Sequence, residues 1–265
     1  MAHKLSPNPD STELPPSPWL MAMEFRAMWE FGAVVPAWPL LSQAPVGDGH
    51  SVIVFPGLSA SDGSTLPLRG FLSNLGYDMS GWNQGFNFGP RAGVLSTAIQ
   101  QVKDTFDATG NKVSLIGWSL GGVYARELAK ALPELVRDVI TMGTPFAGSH
   151  LSTNAWRLYE LTSGRDIHQE IGKFDLPVAP PVPTTSIFSR TDGVVAWSAS
   201  VQAPSRANRQ TENLEVIASH LGLGLNPSTW WAVADCLAQL EGQGKPFERK
   251  RGLHGDVGQQ VFARD

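Results

Sequence analysis

The stretch VSLIGWSLGGVYARELAK, residues 113–130, decides how this chain is read. Val113–Ile116 is a short apolar run with the look of a buried strand, and Val123–Leu132 is rich in helix formers and stops at Pro133. Between them lies Gly117-Trp118-Ser119-Leu120-Gly121, a G-x-S-x-G pentapeptide. A strand that turns sharply into a helix presents its apical serine at the strand's carboxyl end. Glycines on either side suit that turn, because larger side chains there collide with the neighbouring strand and helix. The pentapeptide alone is a weak signal; the strand before it and the helix after it give it weight.

The same rhythm continues outward in both directions. Ser51–Phe55, Val136–Met142, Thr185–Phe188 and Leu214–Ala218 read as strands, and residues 65–75, 92–108 and 228–240 read as helices. The strands are short and apolar without alternation, the pattern of a parallel sheet covered on both faces. The expected class is therefore α/β, with one main domain over residues 46–244. Residues 144–183 interrupt the rhythm with apolar, Pro-rich sequence and read as a cap or lid insertion. Residues 245–265 read as a polar tail. Residues 1–45 read as an N-terminal arm: a loose Pro-rich start, then an apolar helix over 19–35. That helix suits surface packing, a flap over an apolar site, a peripheral lipid contact or a dimer contact.

Composition narrows the classes of function. Of 265 residues, 42% are apolar and 17% charged, enough for a core of normal size and against wholesale disorder. A net charge of −4 gives no general pull toward nucleic acid or anionic lipid. The single cysteine, Cys236, excludes an intramolecular disulfide and a Cys-based zinc site. No run of 18 apolar residues is present, so no membrane span is expected. The first ten residues lack the basic-then-apolar order of a secretion signal, which makes the cytoplasm the expected location.

A serine hydroxyl is a poor nucleophile at neutral pH and needs a base. Of the histidines after Ser119, only His220 follows a strand-like run directly. The carboxyl ends of strands are where an α/β sheet assembles its site. His150 and His168 lie in the insertion and His254 in the tail. An acid to orient the imidazole is expected between Ser119 and His220, again at a strand's end. Asp192, in the turn Ser189-Arg190-Thr191-Asp192-Gly193, meets both conditions. Asp138 sits at the wrong end of its strand. Acyl transfer also needs donors for the oxyanion. The backbone N–H groups of Leu120, just after the serine, and of Leu58, after Pro56-Gly57, are the candidates. Trp118, Phe146, Trp156 and Trp197 are large apolar side chains suited to an acyl pocket.

These pieces resemble the α/β-hydrolase superfamily and, within it, the serine esterases and lipases. The resemblance rests on VIVFPGL (52–58), LGY (75–77), GWNQGFNFGP (81–90), SLIGWSLGG (114–122), TMGTPFAGS (141–149), RTDGVV (190–195) and SHLGL (219–223). It implies the α/β-hydrolase fold, with Ser119 as nucleophile, Asp192 as acid, His220 as base, and Leu58 and Leu120 as oxyanion donors. It implies cleavage of a carboxylic ester or lipid through an acyl-enzyme, with no metal or organic cofactor. Two alternatives stay open: the same triad serving acyl transfer, thioester or amide cleavage, and a non-catalytic binding protein on this fold.

Overall fold

The computed structural model describes residues 14–147, 152–154, 175–203 and 210–241. An N-terminal helical arm comes first: α1 (Pro18–Ala22), a 3-10 turn (Met23–Arg26), α2 (Ala27–Gly32) and α3 (Val34–Leu41). Then come β1 (Ser51–Phe55), α4 (Asp62–Asn74), β2 (Asp78–Gly81), α5 (Val94–Thr109), β3 (Val113–Trp118), α6 (Leu120–Ala131) and β4 (Val136–Met142). After β4 follow β5 (Thr184–Phe188), β6 (Thr211–Glu215) and α7 (Pro227–Leu237).

The six strands form one parallel sheet in the order β2-β1-β3-β4-β5-β6. β1 and β3 are buried along their full length. Each face carries its own apolar layer. Val52, Val54 and Ile116 meet Phe71 and Leu72 of α4, Val34 and Leu41 of α3, and Trp230 and Val233 of α7. Ile53, Phe55 and Leu115 meet Ala98 and Val102 of α5 and Leu128 of α6. The α/β reading with helices on both faces therefore holds.

Two strands depart from expectation, and both are sheet edges. β2 was not anticipated: Asp78-Met-Ser-Gly81 is short, polar and mostly accessible. The last strand lies at Thr211–Glu215, three residues earlier than the expected Leu214–Ala218. An edge strand has water along one side, so polar residues such as Thr211, Glu212 and Asn213 are admitted, and an apolar search passes over them. The apolar residues Val216 and Ala218 instead leave the sheet and carry the chain across its carboxyl end. Val216 keeps one bond to β5, donating to the Phe188 carbonyl at 2.9 Å.

The apolar helix expected over 19–35 is mostly helical, broken by the 3-10 turn and at Ala33 and continued to Leu41. Among the described residues no helix is long and apolar enough to cross a membrane. Most of the 144–183 insertion, and all of the 245–265 tail, lie outside the described residues.

Candidate active site

Ser119 stands between β3 and α6 with φ 54° and ψ −123°, a left-handed conformation that costs a non-glycine residue about 1–3 kcal/mol. The surrounding packing imposes it. A Cβ on Gly117 would lie 2.2 Å from the Gly122 Cα, and one on Gly121 would lie 2.2 Å from the Phe55 carbonyl oxygen. The helix can thus close tightly on the sheet only with glycine at both positions. The Ser119 N–H donates to the Met142 carbonyl at 2.8 Å and anchors the turn to β4.

The structure brings together the three side chains singled out from sequence. His220 Nε2 lies 2.9 Å from Ser119 Oγ, and His220 Nδ1 lies 2.7 Å from Asp192 Oδ2. The other carboxylate oxygen of Asp192 accepts the N–H groups of Val194 and Val195 at 2.8 and 2.7 Å. The acid is thus fixed by its own turn and has one oxygen left for the imidazole. The Ser189 hydroxyl joins the two loops, accepting N–H bonds from Thr191 and Ala218. Asp192 and His220 are buried, whereas Ser119 is only partly so. Burial by itself would push the imidazole of His220 down. The charge of Asp192 and its hydrogen bond, with the charge of Glu24 added, outweigh burial and hold its pKa above the ordinary histidine value.

The two candidate oxyanion donors belong to segments next to the serine. Leu120 opens α6, where the first amides of a helix have no acceptor within it. The Pro56–Ser59 loop passes close by: a Cβ on Gly57 would sit 3.3 Å from the Ser119 Cβ. Sequence reasoning gave no role to Asn87, which shapes this loop. Fully buried, Asn87 donates from Nδ2 to the Pro56 carbonyl at 2.8 Å, and its own carbonyl accepts the Ser59 N–H at 2.7 Å. The only hint was its place in GFNFGP, a motif otherwise made of glycine, aromatic and proline residues.

Of the four aromatic residues expected to line an acyl pocket, three lie among the described residues. Trp118 is 8% exposed; its indole N–H donates to the His220 carbonyl at 3.1 Å, and a Cβ on Gly224 would lie 2.7 Å from its ring. It braces the histidine loop from beneath. Phe146 is buried under the Arg126 guanidinium, 3.8 Å from its ring centre. Trp197 is half-buried, with Arg190 over its ring at 4.4 Å. Trp156 lies outside the described residues. Periodicity and residue type cannot separate a core aromatic from a pocket aromatic, because both are apolar positions beside the sheet.

A single parallel sheet, a serine in a strained strand-to-helix turn after its third strand, and an Asp and a His delivered by the loops after the last two strands define a protein of the α/β-hydrolase fold. Solved structures agree with this. Over 78% of this chain and 58% of its own, Aspergillus fumigatus lipase B superposes with a TM-score of 0.59 at 19% identity. A Bacillus licheniformis lipase superposes over 75% of this chain and 95% of its own, with a TM-score of 0.52 at 16% identity. No family model matches the chain. In sequence, a triacylglycerol lipase of Pseudarthrobacter phenanthrenivorans is 48% identical over 55 residues, 20% of this chain. A triacylglycerol lipase of Burkholderia plantarii is equally similar over the same length. These matches span only 17% and 15% of the two relatives.

Proposed function

We propose that this protein is a serine hydrolase that cleaves carboxylic esters through an acyl-enzyme, with Ser119 as nucleophile, His220 as base and Asp192 as orienting acid. The observation that carries this reading is the continuous hydrogen-bond chain from Ser119 Oγ through His220 to Asp192, starting from a strained and accessible serine.

In the first half-reaction His220 Nε2 takes the Ser119 proton as Oγ attacks the ester carbonyl carbon. The negative charge on the carbonyl oxygen is met by the N–H groups of Leu58 and Leu120. The imidazolium formed at His220 is stabilised by Asp192 and then protonates the departing alkoxide, leaving Ser119 acylated. Water, deprotonated by the same imidazole, attacks the acyl carbon. Collapse of the second tetrahedral intermediate releases the acid and returns the proton to Ser119. Backbone donors need no polar side chain at positions 58 and 120, which accounts for leucine at both.

The two relatives named above are triacylglycerol lipases, and this favours an apolar acyl chain in the substrate. The test combines a fluorophosphonate probe with a p-nitrophenyl ester series of increasing acyl length. Labelling is expected at Ser119, with rates that rise beyond the acetate. An unlabelled Ser119 in folded protein overturns the reading, and equal rates along the series remove the apolar acyl preference.

A further inference from the structure

The N-terminal arm lies against the loops that carry Asp192 and His220, and it does so through charged side chains in a segment otherwise nearly all apolar. Glu24, on the 3-10 turn, is 6% exposed. Its Oε1 accepts the N–H of Gly193 at 2.8 Å and of His220 at 3.0 Å, and its Oε2 accepts the N–H of Leu221 at 2.9 Å. One buried carboxylate therefore holds the residue after the acid, the base itself and the residue after the base. Glu30 and Arg26 extend the contact. Glu30 Oε1 accepts the Ser219 N–H at 2.8 Å and the Arg26 Nε at 3.0 Å. Arg26 donates to the carbonyl and hydroxyl oxygens of Thr191 at 2.6 and 2.8 Å.

The loops are shaped to receive the arm. A Cβ on Gly193 would lie 2.3 Å from the Leu20 carbonyl oxygen, and one on Gly222 would lie 1.6 Å from Glu30 Oε2. At Gly193 the clash is with the arm's backbone, so no side chain fits there with the arm seated; at Gly222 a side chain would have to push the Glu30 carboxylate aside. Burying a carboxylate is costly unless hydrogen bonds compensate it. Here the three amides it accepts all come from residues beside or within the candidate pair.

We propose that Glu24 is a positioning residue for the proposed hydrolysis: through backbone amides it locks the acid loop and the histidine loop in one arrangement, with Arg26 and Glu30 as a second tie. The arm is in this sense a working part of the active site. The inference rests on the reading of Ser119, Asp192 and His220 as the catalytic residues. Its physical content is distance. The separation of His220 from Ser119 and Asp192 depends on two loops at different strand ends, and misplacement of about 1 Å can cost about 10²-fold in rate. Glu24 also adds negative charge behind the imidazole. The charged groups that face His220 are Asp192 from the loop after β5 and Glu24 from the arm. Glu30, at Ser219, is paired with Arg26.

The test uses the full-length chain and Glu24→Gln, which keeps the shape and removes the charge, alongside Glu24→Asp, which keeps the charge and shortens the reach. The kcat and KM for a p-nitrophenyl ester are followed across pH, and the His220 imidazole is titrated directly by NMR. Glu24→Gln is expected to lower kcat by about 10- to 100-fold with KM nearly unchanged. The acidic limb of the pH profile and the NMR midpoint of His220 are expected to move to lower pH. Glu24→Asp is expected to return the midpoint toward wild type while kcat stays reduced. A folded Glu24→Gln protein with wild-type kcat and an unmoved His220 midpoint overturns the proposal. If Glu24→Gln does not fold, wild-type kcat in Glu24→Asp does so. A wild-type protein that hydrolyses no ester would sink the hydrolase reading instead. The NMR midpoint in Glu24→Gln then decides by itself whether Glu24 is coupled to His220.

Discussion

Among the described residues two Ser–His–Asp chains occur, one at each end of the sheet. At the carboxyl end are Ser119, His220 and Asp192. At the amino end, Ser114 Oγ lies 2.8 Å from His50 Nε2, and His50 Nδ1 is hydrogen-bonded to Asp48. The residue types and contacts nearly coincide, yet everything around them differs. Ser114 lies within β3, fully buried, and its hydroxyl already donates to Asp138 Oδ2 at 2.8 Å. Ser119 is accessible, strained, and beside the free amides at the start of α6. The imidazoles are also tuned in opposite directions. Burial pushes His50 below the ordinary value; its hydrogen bond to Asp48 opposes this, and the Arg137 charge adds to the fall. His220 is held above it. A Ser–His–Asp contact alone therefore does not single out the candidate nucleophile. A nucleophile must also be reachable, with donors waiting where charge develops.

The sharpest way to break this comparison is to remove each hydroxyl in turn. Ser119→Ala is expected to reduce ester hydrolysis by about 10⁴-fold or more and abolish fluorophosphonate labelling. Ser114→Ala is expected to leave kcat/KM within about threefold of wild type and keep the label. Its effect falls on stability, at about 1–3 kcal/mol in denaturant unfolding, because His50 and Asp138 lose a buried partner. Comparable losses of activity in both variants would erase the distinction.

Replacing the acids gives a smaller contrast. Asp192→Asn is expected to cost about 10³–10⁴ in kcat, since an amide no longer selects the right tautomer of His220. Asp48→Asn is expected to leave kcat unchanged and lower the melting temperature, read by calorimetry.

The smallest effect is a pH dependence of stability at the amino end. Burial raises the Asp138 carboxyl to about 6, although the Ser114 bond and the Arg137 charge pull it down. The folded state thus binds this proton more tightly than the unfolded chain. The resulting stabilisation is complete below about pH 4 and is lost as pH rises through about 6. His50, lowered in the fold, has the opposite sign: its contribution is present above about pH 6.5 and lost on acidification. Asp138→Asn is therefore expected to raise the melting temperature by a few degrees at pH 7.5 relative to wild type, with no such gain at pH 4.5. An equal change at both pH values would show that the carboxyl does not titrate differently on folding.

The two ends also differ in how legible they were. Gly117, Ser119 and Gly121 announced the turn because local sterics demand glycine two residues to either side of the serine. Asp192 and His220 could be found because each closes a strand-like run at the carboxyl end, even with the last strand misplaced by three residues. The amino-end chain was not foreseen, since it joins a residue before β1 to one inside β3 and leaves no local pattern. Glu24 was equally hidden. A carboxylate in an apolar helix signals burial with a partner, but the partners are backbone amides, which any residue supplies. The brace of Trp118 on the His220 carbonyl depends on tertiary placement alone and leaves no local pattern either.

The tie between Glu24 and the His220 amide spans 196 positions of sequence. Contacts this remote carry a large loop-closure cost and are expected late in folding. The amino-end chain, drawn from residues 48–138, can settle once the first half of the domain has collapsed. A ribosome would thus have to release nearly the whole domain before its beginning could clasp the loop bearing the base. On that proposal the alignment of Ser119 with its proton acceptor is completed only near the end of synthesis.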